Sequence, residues 1–149
     1  VDGQPRIVRT LPRGGADVTD TIADRLKISL QEAEDLKCRV GLLPDENPQV
    51  MAAVRDALRP LISELRSSFA YLASGGEAAA RVSSLSLCGG SARLPGLVEN
   101  LHEELGVTVF LADPLMRVSE SKGRGSHDEL GLFRSSAAVS IGLALAGTS

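Results

Sequence analysis

Apolar residues recur along this chain at helical spacings over most of its length. Val50, Val54, Leu58, Leu61, Leu65, Phe69 and Leu72 stand four, four, three, four, four and three positions apart, the stripe of one long amphipathic helix. Pro60 lies inside it, removes one backbone donor, and predicts a bend or a division into two segments. Upstream, Val18, Ile22 and Leu26 predict a helix ending at Arg25 or Leu26, with Asp17 or Thr19 as its cap. Ser29-Leu30-Gln31-Glu32 has the spacing of a capping box and opens a helix to about Val40, where Gly41 ends it. Its apolar row is Ala33, Leu36 and Val40, and Glu34 and Lys37 are neighbours on its polar side. Leu97, Leu101 and Leu105 predict a further helix, starting at Leu94 or Pro95 and closed by Gly106.

Shorter β-branched and apolar runs lie between these periods. Pro5–Leu11, Ser83–Cys88 and Val107–Leu111 read as strands, the first as the second arm of a hairpin with Asp2-Gly3 at its tip. Val118–Asp128 is a polar loop. A last helix is expected from about Ser135 to Ala146, where Ala137, Ala138, Ser140, Gly142, Ala144 and Ala146 would admit another backbone closely. The order strand, three helices, strand, helix, strand, helix is that of an α/β architecture. The chain has no initiator Met and no signal peptide, and it opens within a turn; it is expected to be a piece of a longer protein.

Charge and composition narrow the partners. With 16 basic and 19 acidic residues and 3% aromatics, the chain has neither a basic field nor a stacking platform, so nucleic acid is excluded as an expected partner. The most apolar run, Ala137–Ala146, is about half of the ~20 residues that a membrane span needs. Cys38 and Cys88 fit neither a disulfide framework nor a zinc site, and both read as small buried hydrophobes.

Searches for chemistry return little. Phosphate loops, dinucleotide fingerprints, nucleophile elbows and zinc-protease helices are all missing, and His102 and His127 stand alone, so no catalytic residue and no metal ligand is assigned. What remains is Leu85-Ser86-Leu87-Cys88-Gly89-Gly90-Ser91, a strand running into two glycines where a flat or anionic ligand can reach the main chain. The same glycines are also what a tight strand-to-helix turn needs, and the pair alone favours that turn over a ligand site.

Taken together and in order, Gly14-Gly15-Ala16-Asp17-Val18-Thr19, Glu32–Lys37 with Val40-Gly41-Leu42, Leu61–Tyr71, Cys88–Leu97 and Ala138–Gly147 resemble the PilM family. These are actin-like, FtsA-related proteins of type IV pilus assembly. The resemblance implies an α/β lobe of the actin/heat-shock-protein ATPase fold, the second of two lobes that enclose a nucleotide. Within it, residues 1–15 and 61–149 would form subdomain 2A, a sheet flanked by helices, and residues 16–60 the small subdomain 2B. It also implies ATP with Mg²⁺ as cofactor, bound weakly or not at all by this lobe alone, with little or no turnover. Gly89, Gly90 and Ser91, with Leu94 behind them, match the family's adenine-facing turn, Glu34 and Lys37 the pair facing ribose and base, and Gly14 and Gly15 the glycines near the cleft floor.

The implied role is a cytoplasmic scaffold at the bacterial inner membrane. Its partners would be the N-terminal cytoplasmic segment of PilN, docking on the first lobe, other pilus platform proteins, and a second copy of itself. Two alternatives share the fold. An FtsA-like cell-division protein would carry a membrane-binding C-terminal helix where this chain reads Ala-Gly-Thr-Ser. An active superfamily ATPase or sugar kinase would need a catalytic carboxylate from the other lobe.

Overall fold

The computed structural model describes residues 5, 7–44, 46–75 and 81–113, together with 138, 140, 142 and 143. In chain order these hold α1 (Gly15–Leu26), α2 (Leu30–Arg39), α3 (Pro48–Ala73), β1 (Ser84–Leu87), a single 3₁₀ turn (Gly90–Arg93), α4 (Leu97–Leu105) and β2 (Thr108–Leu111). β1 and β2 pair in parallel, Ser84 opposite Thr108 through Leu87 opposite Leu111, with α4 as the crossover that parallel pairing requires.

Local chemistry sets the helix ends. Ser29 Oγ accepts the Glu32 N–H while Glu32 Oε2 accepts the Ser29 N–H at 3.0 Å, so the capping box forms as its spacing requires. Asn47 caps α3 through the N–H groups of Gln49 and Val50, and Pro48 takes the first turn, where a missing N–H is harmless. α1 starts earlier than expected. Its N-cap is Gly14, and Asp17 sits three residues in and accepts the Gly14 N–H at 2.7 Å instead of capping the helix itself.

One core joins these elements. Ile22 of α1, Ala33 of α2, Val50, Ala53 and Val54 of α3 and Leu101 of α4 are almost wholly buried in a single cluster that also takes in Val109 of β2. α3 continues unbroken through Pro60, so the expected division does not occur. Leu58 and Ile62 are buried in the same core on either side of Pro60, and that packing offsets the ~3 kcal/mol that an internal proline costs.

Other expectations are corrected. Among the described residues no strand pairs with residues 7–11, which have no regular structure; a guanidinium holds them to α3 instead, Arg9 bonding Glu64 Oε2 at 2.9 Å and Ser68 Oγ at 2.8 Å. An extended segment without a neighbour has no ladder to join. Both cysteines are exposed, not buried: Cys38 lies off the apolar row of α2, and Cys88 falls one residue past the end of β1. Pro95 stands outside α4, because Gly96 takes the cap position with φ +74°. His102 Nδ1 lies 2.7 Å from the Val107 carbonyl, at the end of α4. Ala138, Ser140, Gly142 and Leu143 are helical, as expected of the last helix. The Asp2-Gly3 hairpin, the Val118–Asp128 loop, His127 and the rest of that helix lie outside the described residues.

Candidate functional site

Two walls meet beside the 3₁₀ turn. On α2, Glu34, Lys37 and Cys38 share one face because they are three and four positions apart. Opposite them, β1 runs out through Cys88 and Gly89 into Gly90–Arg93. Gly89 has φ +101° and ψ 168°, a region essentially reserved for glycine, and this reverses the chain so that Ala92 N–H bonds back to the Gly89 carbonyl at 3.2 Å. Between the walls lies a cavity of about 460 Å³ lined by Glu34, Lys37, Cys38, Gly90, Ser91, Arg93 and Leu94. That is within the ordinary range of small-molecule pockets. Among the described residues no atom beyond its chain neighbours lies within 4 Å of where a Cβ on Gly90 would stand, so the main chain there is open to an occupant.

The charged wall is built from both faces of one interaction. Lys37 keeps 7% of its surface exposed and points its Nζ at Gly15 O (3.2 Å), Thr19 Oγ1 (2.8 Å) and Glu34 Oε2 (2.6 Å). Its polar sequence position predicts a solvated side chain; instead the aliphatic stem is buried between α1 and α2 and the ammonium is spent on partners within the fold. Hydrogen bonds from Lys37 first and Thr19 second hold the Glu34 carboxyl below the usual carboxylate range, against a smaller opposing push from burial. Burial, then the neighbouring Glu34 carboxylate, pushes the Cys38 thiol up, its Sγ lying 3.6 Å from Glu34 Oε1.

Of the eight residues singled out in the sequence, the structure brings Glu34, Lys37, Gly90, Ser91 and Leu94 onto this one cavity. Gly14 and Gly15 lie next to it, on a second, largely apolar cavity of about 280 Å³ that shares Lys37, Ser91 and Leu94 and extends between β1 and α3. A Cβ on Gly15 would stand 2.2 Å from Ser91 Oγ, so α1 starts against the glycine turn itself. Gly89 lines neither cavity and acts by shaping the turn. Three residues escaped the sequence reading. Cys38 had a signal in its i, i+4 offset from Glu34; Arg93 and buried Thr19 had none, since only the approach of α1 to α2 places Thr19 beside Glu34. Among the described residues no group of three His, Cys, Asp or Glu side chains could hold a metal ion, and no helix is long and apolar enough to cross a membrane.

Comparison with known proteins adds the family context. The model of the family described as type IV pilus assembly protein PilM matches residues 2–148. Among solved structures, the chain is similar to one in a "PilM-PilN type IV pilus biogenesis complex", with a TM-score of 0.81 and 29% identity over 99% of this chain. The match covers 40% of that chain, and over this portion the two share one α/β fold. No curated protein matches the sequence.

Proposed function

This chain belongs to the PilM family of type IV pilus assembly proteins, and from that membership we propose that it is one lobe of a nucleotide-binding scaffold of the pilus assembly platform. The observation that carries the proposal is the convergence of Glu34, Lys37, Gly90, Ser91 and Leu94 on a single cavity, a carboxylate on one side and an open main chain backed by an apolar side chain on the other. Such a cavity suits an adenosine moiety. The base would lie against the Gly90–Ser91 main chain and Leu94, and Glu34 would accept hydrogen bonds from ribose hydroxyls. The triphosphate and Mg²⁺ would be held by segments outside the described residues, and no catalytic role is assigned to any residue here.

ATP serves in this proposal as a structural or switching ligand. The partner is PilN, on the strength of the PilM-PilN complex to which the chain is similar, and the place of action is the cytoplasmic face of the bacterial inner membrane. Calorimetric titration of ATP into the intact two-lobe protein, as wild type and as Gly90→Val, tests the site. Gly90 lines the cavity, and among the described residues an added Cβ there meets nothing within 4 Å, so the variant should keep its thermal stability and lose binding. Equal affinity in the two proteins would confine the glycines to making a turn.

A further inference from the structure

We infer that Thr19 is a positioning residue: with Lys37 it fixes the Glu34 carboxylate at the cavity, so that what the cavity offers its occupant on this side is an acceptor for hydroxyl or amino donors and not an ammonium. The identity of the occupant rests on the nucleotide proposal above; the positioning does not.

An ammonium has three N–H groups, and those of Lys37 face three acceptors of the protein itself, Gly15 O, Thr19 Oγ1 and Glu34 Oε2. None is left for a ligand. The Thr19 hydroxyl has one hydrogen and two acceptors in reach, the Gly15 carbonyl at 3.0 Å and Glu34 Oε2 at 2.5 Å. A bond to an ionised acceptor is the stronger, so the hydrogen goes to Glu34 and a hydroxyl lone pair receives Lys37. Glu34 Oε2 therefore takes two donors from within the fold, while among the described residues Oε1 has only the weak Cys38 thiol at 3.6 Å. Accessibility agrees: the Glu34 side chain is 44% exposed and that of Lys37 9%. Thr19 is itself buried, and it acts on the occupant only through Glu34.

The test uses this chain for the first of two readouts and the intact two-lobe protein for the second, each as wild type, Thr19→Val and Thr19→Ser. The first is the titration of the Glu34 carboxyl followed by carbon NMR without any ligand. Thr19→Val should move its midpoint upward, toward that of an ordinary glutamate, and Thr19→Ser should restore the wild-type curve. The second is calorimetric binding of ATP, 2′-deoxy-ATP and 3′-deoxy-ATP. Thr19→Val should weaken ATP by about tenfold or more while leaving the affinity for at least one deoxy analogue unchanged, because that analogue lacks the donor that Glu34 takes. An unmoved Glu34 titration in Thr19→Val overturns the positioning role. A moved titration with equal losses for ATP and both analogues overturns the acceptor role. Failure of the intact two-lobe protein to bind ATP overturns the nucleotide proposal and leaves positioning to be decided by the titration. Should Thr19→Val not fold, Thr19→Ala carries the same readouts.

Discussion

The N–H of Leu42 donates to the carbonyl of Pro95 over 2.8 Å, and this one bond ties the end of α2 to the segment that leads from the glycine turn into α4. Two backbones can cross this closely only because the flanking residues lack side chains. A Cβ on Gly41 would stand 2.5 Å from the Pro95 carbonyl oxygen, and one on Gly96 would stand 3.0 Å from Leu42 Cβ. The crossing sets the separation of the two walls of the 460 Å³ cavity, with Glu34 and Lys37 on one side and Gly90–Leu94 on the other.

Gly41→Ala should therefore be among the most damaging single-methyl additions in the chain. It combines a left-handed φ of +50°, worth about 1–2 kcal/mol, with a backbone clash of the kind that costs about 1–3 kcal/mol. Gly106→Ala is the control, since its φ is +66° and, among the described residues, nothing lies within 4 Å of the added atom. Denaturant unfolding should show the Gly41 variant losing more than the Gly106 variant by about the clash alone; equal losses would mean that the crossing gives way without strain.

Gly15 and Ser91 should behave as a coupled pair. Gly15→Ala places its methyl on Ser91 Oγ, at 2.2 Å, whereas Ser91 Cβ is 3.4 Å away, an ordinary contact. Gly15→Ala alone should destabilise the protein by roughly 1–3 kcal/mol, and Ser91→Ala in the same chain should recover most of that loss. A double-mutant cycle measures the coupling. Simple additivity would show that the clash is relieved without cost, by rotation of the Ser91 hydroxyl or by a shift of the α1 start.

Acid should destabilise the fold partly through Glu34. Its folded-state pKa is lowered, so the stabilisation is complete above the unfolded value near 4.5 and is lost as the pH falls through the lower folded value. Glu32 contributes in the same direction through its bonds to Ser29. Glu34→Gln should flatten the acid limb of a stability profile taken between neutrality and about pH 3, in the same window. A profile that keeps its slope in the variant would assign the acid sensitivity to other carboxylates.

Cys38 should alkylate slowly at neutral pH although it is exposed, because partial desolvation of its sulfur by the surrounding protein, and then the Glu34 carboxylate, hold its thiol above the ordinary range. Glu34→Gln removes the charge and should speed the reaction, as should raising the pH. Mass-resolved alkylation follows Cys38 and Cys88 separately. If the nucleotide proposal is right, ATP should protect Cys38, which lines the cavity.

How much of this was legible in the sequence differs from element to element. The capping box at Ser29–Glu32 and the stripe from Val50 to Leu72 located α2 and α3, since a cap and a helical period are local and act over a few residues. The strands at Ser84–Leu87 and Thr108–Leu111 were equally local in their apolar runs. Their parallel register was not, and the run at Pro5–Leu11 looked the same, yet its described residues are not in a strand, because a ladder needs a second chain segment that a run of residues cannot specify alone.

The site divides in the same way. Glu34 and Lys37 could be placed on one helix face by counting, and Gly89-Gly90 at a strand end by inspection; on residue type alone Lys37 reads as solvated and Cys88 as buried. The fold reversed both. α1 lies against α2 closely enough to give the Lys37 ammonium three acceptors out of water, and β1 ends one residue before Cys88. What the sequence by itself determined is helix position, capping and the amphipathic faces, because those follow from neighbours within a turn. Only the tertiary structure decided which polar groups meet, since Thr19 and Glu34, 15 residues apart, and Leu42 and Pro95, more distant still, become partners through the packing of whole helices.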